Sequence, residues 1–220
     1  VIPRLIAKNH RVDVLIKKKD ILEDLLQHAG IPYVNILPNG RKDTKMGIIG
    51  GVLKRFHRIF WFSIQNKVDL LTGSSSEVAQ VGKLTGKYSI VTTEDDAAVV
   101  PLFVKMCAPF IDSYLSPEVC NNGKIDSQSI KYSSYHELAY LHPNHFTPNK
   151  KVVEQYFSAE KPYFILRFAK LNAHHDSGIQ GINTEIAQKL IEILKPYGDI
   201  YITAERELET QFEPYRIKIN

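Results

Sequence analysis

Four stretches of this sequence concentrate side chains that can move protons or hold anions. Glu94-Asp95-Asp96 sets three carboxyl groups in a row. Repulsion among them favours keeping one protonated, which suits a general acid or base, with Glu94 the first candidate. Acidic residues also open helices, and Asp96 fits that role equally well. Arg167 can grip a diphosphate through two parallel N–H groups. His174, His175 and Asp176 follow, and a histidine oriented by an aspartate can act as a base, an acid or a charge stabiliser. Neighbours in sequence need not touch, so that pair is only one arrangement of the three. Gly73-Ser74-Ser75-Ser76 offers backbone N–H groups and a helix dipole to an anion or a sugar hydroxyl. The same four residues also read as a tight turn with a serine cap.

A fifth cluster, His136, Glu137, His142 and His145, raises the question of a metal. Its spacing fits no zinc pattern, and Cys107 and Cys120 have neither metal nor disulfide spacing. The segment reads instead as a hydrogen-bonding hinge, and no metal or other cofactor is expected. No G-x-G-x-x-G follows a strand, which argues against a dinucleotide. The net charge of +4 comes from 28 Lys and Arg against 24 Asp and Glu, dispersed along the chain. That excludes the dense basic stripe of a nucleic-acid binder and suits an anionic small ligand or an anionic membrane surface. No apolar run approaches the roughly 20 residues needed to cross a bilayer.

The elements around these residues alternate. Strands are expected at Arg11–Ile16, Tyr33–Ile36, Val68–Thr72, Tyr88–Thr93, Asp112–Ser116 and Ser129–Tyr132 from short β-branched runs. Helices are expected at Asp20–Ala29, with Asp20 as cap and Gly30 as stop, at Met46–Asn66, at Glu77–Leu84 and near Val99–Ala108. Within Met46–Asn66, Ile49, Val52, Leu53, Phe56, Ile59 and Phe60 form an apolar stripe. Lys54, Arg55, His57 and Arg58 beside it read as a solvated basic face, or as a surface for an anionic bilayer together with Trp61 and Phe62. Lys17-Lys18-Lys19 reads as a solvated loop. Ser133–Lys151 loses periodicity. Strand, helix and strand resume at Tyr163–Ala169, Thr184–Leu194 and Asp199–Ala204. Alternation of this kind means parallel sheets with right-handed crossovers. The expected architecture is α/β with two Rossmann-like parallel-sheet domains. Residues 1–133 form the first, lacking its opening strand; 134–151 join them; 152–220 begin a second, incomplete domain.

The joining segment carries a resemblance. Tyr135-His136-Glu137-Leu138-Ala139-Tyr140-Leu141-His142-Pro143-Asn144, then Phe146-Thr147-Pro148, resembles the signature of an uncharacterised prokaryotic family, domain-of-unknown-function family 354. Ile165–Phe168 with Asn172, Ala173, His175 and Asp176 resembles that family's strand and N-A-x-H-D loop. Val91–Ala97 resembles its strand and acidic turn. The family is similar in fold to UDP-N-acetylglucosamine 2-epimerases and GT-B glycosyltransferases, which implies a nucleotide sugar, a UDP-sugar foremost, between two domains.

The resemblance implies catalytic roles for Glu94, His175 and Asp176. It implies ligand contacts for Gly73, Ser74, Ser75, Asp95, His136, Glu137, Arg167, Asn172 and His174. The expected function is a glycosyltransferase or epimerase-like enzyme of cell-surface polysaccharide or glycoconjugate synthesis. A cytoplasmic location is expected, with possible attachment to the inner membrane face. The alternative is a GT-B-fold binding or scaffold protein without turnover.

Overall fold

The computed structural model describes residues 1–18, 21–40, 44–158, 160–169 and 181–217. It is α/β, and its strands pair in parallel throughout. The chain divides into two compact units, Val1–His136 and Glu137–Asn220.

The first unit opens with α1 (Ile2–Ile6), which has proline in its first turn. Next come β1 (Leu15–Lys17), α2 (Leu22–His28) and β2 (Val34–Leu37), with β1 and β2 paired. β1 is shorter than the β-branched run suggests. Arg11 reaches the side chains of Asp13 and Asn66, so the chain before Val14 is held by side-chain bonds rather than a ladder. The cap position of α2 is Ile21, not Asp20, which lies outside the described residues. Glu23 and Asp24 in its first turn meet the helix dipole instead. Gly30 ends it with φ +62.

α3 (Lys45–Gln65) begins at Thr44, whose Oγ1 accepts the Gly47 N–H at 3.1 Å. A second sheet then runs in the order β3 (Leu70–Gly73), β4 (Tyr88–Thr92), β5 (Ser113–Pro117), β6 (Ser129–Tyr132). α4 (Ser76–Thr85) and α5 (Pro101–Cys107) make the crossovers between β3, β4 and β5, and a 3₁₀ segment (Gly123–Gln128) precedes β6. Four of the five residues of β5 are buried, as a parallel strand covered on both faces requires. One core unites Ile36, Leu71, Val91 and Tyr114 of the strands with Ile59, Val81 and Cys107 of the helices.

α3 departs from the expected solvated basic face. Its Phe56, Ile59 and Phe60 pack on the core, but Met46, Ile49, Leu53, Trp61 and Ile64 form a second, exposed stripe at helical spacing. Arg55 turns inward: its Nε donates to Glu77 Oε1 at 2.8 Å, and Nη2 bonds the same oxygen. Glu77 is only 1% exposed, so this pair is desolvated. Arg58 donates to the Ile36 carbonyl at 2.6 Å. Two of the four basic side chains therefore hold the fold.

The second unit contains α6 (Leu138–Leu141), α7 (Lys150–Val153), β7 (Tyr163–Phe168), α8 (Thr184–Leu194) and β8 (Asp199–Ala204). β7 pairs with β8 over its whole length. Asn183 caps α8 through the Ile186 N–H at 2.9 Å. Phe168, Ile200 and Ile202 meet Ala187 and Ile191 of α8 and Phe212 of a 3₁₀ segment (Thr210–Tyr215). Gly198 must be glycine: a Cβ there would lie 2.3 Å from the Pro162 carbonyl oxygen.

Candidate active site

Parallel strands all end on one side of a sheet, and in open α/β sheets ligands sit outside that carboxyl edge. In the first unit the edge carries the turns after β3, β4, β5 and β6. Polar groups of the turns after β4, β5 and β6 form a linked set.

β3 ends at Gly73, which pairs with Val91 of β4, so the Gly73–Ser75 turn and the Thr93–Asp96 turn leave the sheet side by side. α4 begins at Ser76, with Ser75 at its cap position making no side-chain cap bond. Its first turn is instead fastened through Glu77 to Arg55.

The three acids after β4 do not share a site. Asp96 Oδ1 accepts the Asn121 N–H at 2.7 Å, and the Asn121 carbonyl accepts the Ala97 N–H at 2.8 Å. Asp96 thus ties the turn after β4 to the turn after β5. The Asp95 N–H donates to Thr93 Oγ1 at 3.2 Å. Glu94 points elsewhere: its Oε1 accepts the His136 N–H at 2.6 Å and lies 3.1 Å from His136 Nδ1. The Glu94 and Asp96 carboxylates are thus directed at separate partners.

His136 sits just beyond β6, two strands away from β4. Its ring stacks on Tyr132, with centroids 6.2 Å apart and planes 18° from parallel. The turn after β5 fills the space between. The Cys120 thiol donates to the Glu94 carbonyl at 3.1 Å, and the Lys131 ammonium donates to the Cys120 carbonyl. Burial, then Asp96, pushes the Cys120 thiol pKa up. It is a structural donor here, not a nucleophile. Glu94 and His136 remain open to solvent, at 32% and 47% side-chain exposure. Among the described residues His136 Nε2 has no hydrogen-bond partner. The edge thus presents a carboxylate, an imidazole held by it, and a serine-bearing turn.

Of the expected site residues, Gly73, Ser74, Ser75, Glu94, Asp95 and His136 lie on this one edge. Glu137 belongs to the second unit, at the cap position of α6. His142 and His145 also lie there, with rings 6.1 Å apart. Among the described residues no three His, Cys, Asp or Glu side chains converge on a metal position. Arg167, on β7, is engaged by Glu205 just past β8, and this partner keeps its guanidinium pKa raised. Only its Nη2 makes that bond, and the side chain is 72% exposed. Asn172, His174, His175 and Asp176 lie outside the described residues.

Two groups at or beneath the edge escaped sequence reasoning. Arg55 and Glu77 are 22 positions apart, and only the fold joins them. Asn121 acts through its backbone, which no side-chain pattern reveals. For Arg55, a basic residue beside Phe56 and Ile59 on the core-facing stripe was the available signal.

The chain is similar to a crystal structure of MurG from Acinetobacter baumannii, with a TM-score of 0.52 at 15% sequence identity. The fold is GT-B-like. The match covers 97% of this chain and 57% of that one, so the chain spans somewhat over half the neighbour's length. No family model matches the chain. No curated protein matches it either.

Proposed function

We propose that the protein containing this chain binds a nucleotide sugar at the carboxyl edge of the β3–β6 sheet and acts as a glycosyltransferase- or epimerase-like enzyme. The observation that carries this reading is the Glu94–His136 pair, standing beside the Gly73–Ser75 turn on a GT-B-like scaffold. The pair supplies proton transfer, and the turn at the start of α4 supplies N–H groups for an anion or sugar hydroxyl. Arg167, through N–H groups that Glu205 does not take, and His175 with Asp176 are further groups proposed for diphosphate contact and proton transfer. Asn172, His174, Asp95 and Glu137 are proposed ligand contacts. A leaving diphosphate stabilised by arginine and helix N-termini needs no metal. The motif resemblance to family 354 supports the same reading.

Titrating the full-length protein with UDP, UDP-N-acetylglucosamine and other UDP-sugars by calorimetry tests it. Saturable heat with at least one of them is expected. No binding at millimolar ligand contradicts it, and binding without turnover or epimerisation favours the scaffold alternative.

The exposed α3 stripe supports a second element of the reading. Met46, Ile49, Leu53, Trp61 and Ile64, with Lys54 beside them, fit the interface of an anionic bilayer. Among the described residues no helix is long and apolar enough to cross one. Sedimentation with vesicles containing phosphatidylglycerol is expected to carry the protein down, and Leu53→Glu with Trp61→Glu to abolish it. Equal sedimentation of the double variant contradicts this element.

A further inference from the structure

We propose that His136 Nε2 is the proton acceptor of the reaction, and that Glu94 is a positioning residue that acts through the imidazole. The inference rests on the nucleotide-sugar reading and divides the labour within its site. Glu94 was the expected acid or base, yet its Oε1 already accepts the His136 N–H at 2.6 Å and faces Nδ1 at 3.1 Å. An oxygen so engaged is a poor partner for a substrate hydroxyl. A carboxylate against Nδ1 favours the tautomer with its proton there, which leaves the Nε2 lone pair free to accept one. The ring lies nearly parallel to Tyr132, and the bond from the His136 backbone N–H keeps Glu94 Oε1 close to Nδ1. Nearly half the side chain is open to solvent. A histidine held this way by two backbone-anchored groups has its orientation set before a ligand arrives.

The substrate class that follows is a hydroxyl-bearing acceptor, or water, beside the anomeric carbon of the sugar. The hydroxyl proton passes to His136 Nε2 as its oxygen bonds the anomeric carbon. The bond from that carbon to the diphosphate oxygen breaks, and its electron pair leaves with the nucleoside diphosphate. The imidazolium, stabilised by Glu94, returns its proton to solvent.

Two measurements on the full-length protein test this. Long-range proton–nitrogen NMR spectra at a pH where the ring is neutral read the tautomer. His136 is expected to carry its proton on Nδ1, and Glu94→Ala to revert it toward the Nε2-protonated form free histidine prefers. An Nε2-protonated ring in the wild type overturns the proposal. In turnover of UDP-N-acetylglucosamine, followed by UDP release, His136→Ala is expected to lower kcat by about 100-fold or more with KM little changed. Glu94→Gln should lower kcat less, and the double variant should fall no further than His136→Ala alone. Unchanged kcat in His136→Ala overturns the proposal while leaving the nucleotide-sugar reading in place. A wild type that neither binds nor turns over any UDP-sugar sinks that reading itself, whatever the tautomer.

Discussion

Strands β5 and β7 are both parallel strands of the α/β pattern, but their environments differ. Four of the five residues of β5 are buried, whereas β7 alternates, with Tyr163, Ile165 and Arg167 on an open face. The charges placed by the two sheets differ in the same way. Glu94 and Glu77 are held by partners that are themselves fixed: a backbone N–H and stacked ring for one, a desolvated guanidinium for the other. Arg167 meets Glu205 in water, with side-chain exposures of 72% and 46%. The covered sheet fixes polar groups at its edge through backbone and buried partners, whereas the Arg167–Glu205 pair is screened by solvent. Within the second unit Arg206 and Glu209, at 29% and 36% exposure, form a better-buried pair beside Phe168.

The largest expected effect breaks the first half of that comparison. Glu77→Ala leaves the Arg55 guanidinium buried without its partner, and should cost the first unit about 3–5 kcal/mol in urea unfolding. A loss as small as that of a surface substitution means the pair is not desolvated as described. Next is Gly198→Ala in the second unit. The new methyl would meet backbone atoms of Pro162, and overpacking of that kind costs about 1–3 kcal/mol. Its signature is a lower midpoint for the unfolding of β7, β8 and α8, followed by hydrogen exchange of their amides.

Alkaline pH gives a graded effect on the first unit, small near the unfolded thiol's pKa and growing above it. Burial, with Glu77 nearby, pushes the Cys107 thiol up to about 12. The native state therefore keeps a proton that the unfolded chain releases. Stability from this group is complete below the unfolded thiol's pKa, near 8.5, and declines as pH rises from there toward 12. The slope is at most about 1.4 kcal/mol per pH unit. Urea midpoints across this range should fall less steeply in Cys107→Ala than in the wild type. The smallest effect is Arg167→Ala, for which no measurable change in the stability of the second unit is expected. A marked loss would show that the Arg167–Glu205 pair is held as firmly as the Glu77–Arg55 pair.

Much of this architecture was legible. The bounds of β6, α8 and β8 match the expected ones because β-favouring residues (Ile130 and Tyr132; Ile200, Tyr201, Ile202 and Thr203) and an amphipathic stripe fixed them. β1 and β3 start late for local reasons. Arg11 is diverted to Asp13 and Asn66, and the Val68 N–H turns back to the Ser63 carbonyl after Lys67 adopts φ +51. Within the candidate site, Glu94 and His136 were each visible as chemistry-bearing residues. Their meeting was not: it depends on β4 and β6 lying either side of β5, with 42 positions between the two residues. Arg55 was misread as solvated because a composition pattern cannot show which way a long side chain turns.

The ligand chemistry proposed above gathers at the carboxyl edge of β3–β6, around Glu94 and His136. Amide NMR of the full-length protein titrated with UDP-N-acetylglucosamine tests it most directly. The account predicts chemical-shift changes concentrated at Gly73–Ser76, Thr93–Asp96 and Tyr135–His136. Ligand-dependent shifts that spare all three turns, or that gather at Tyr88 and Ser113 on the opposite edge, would contradict it.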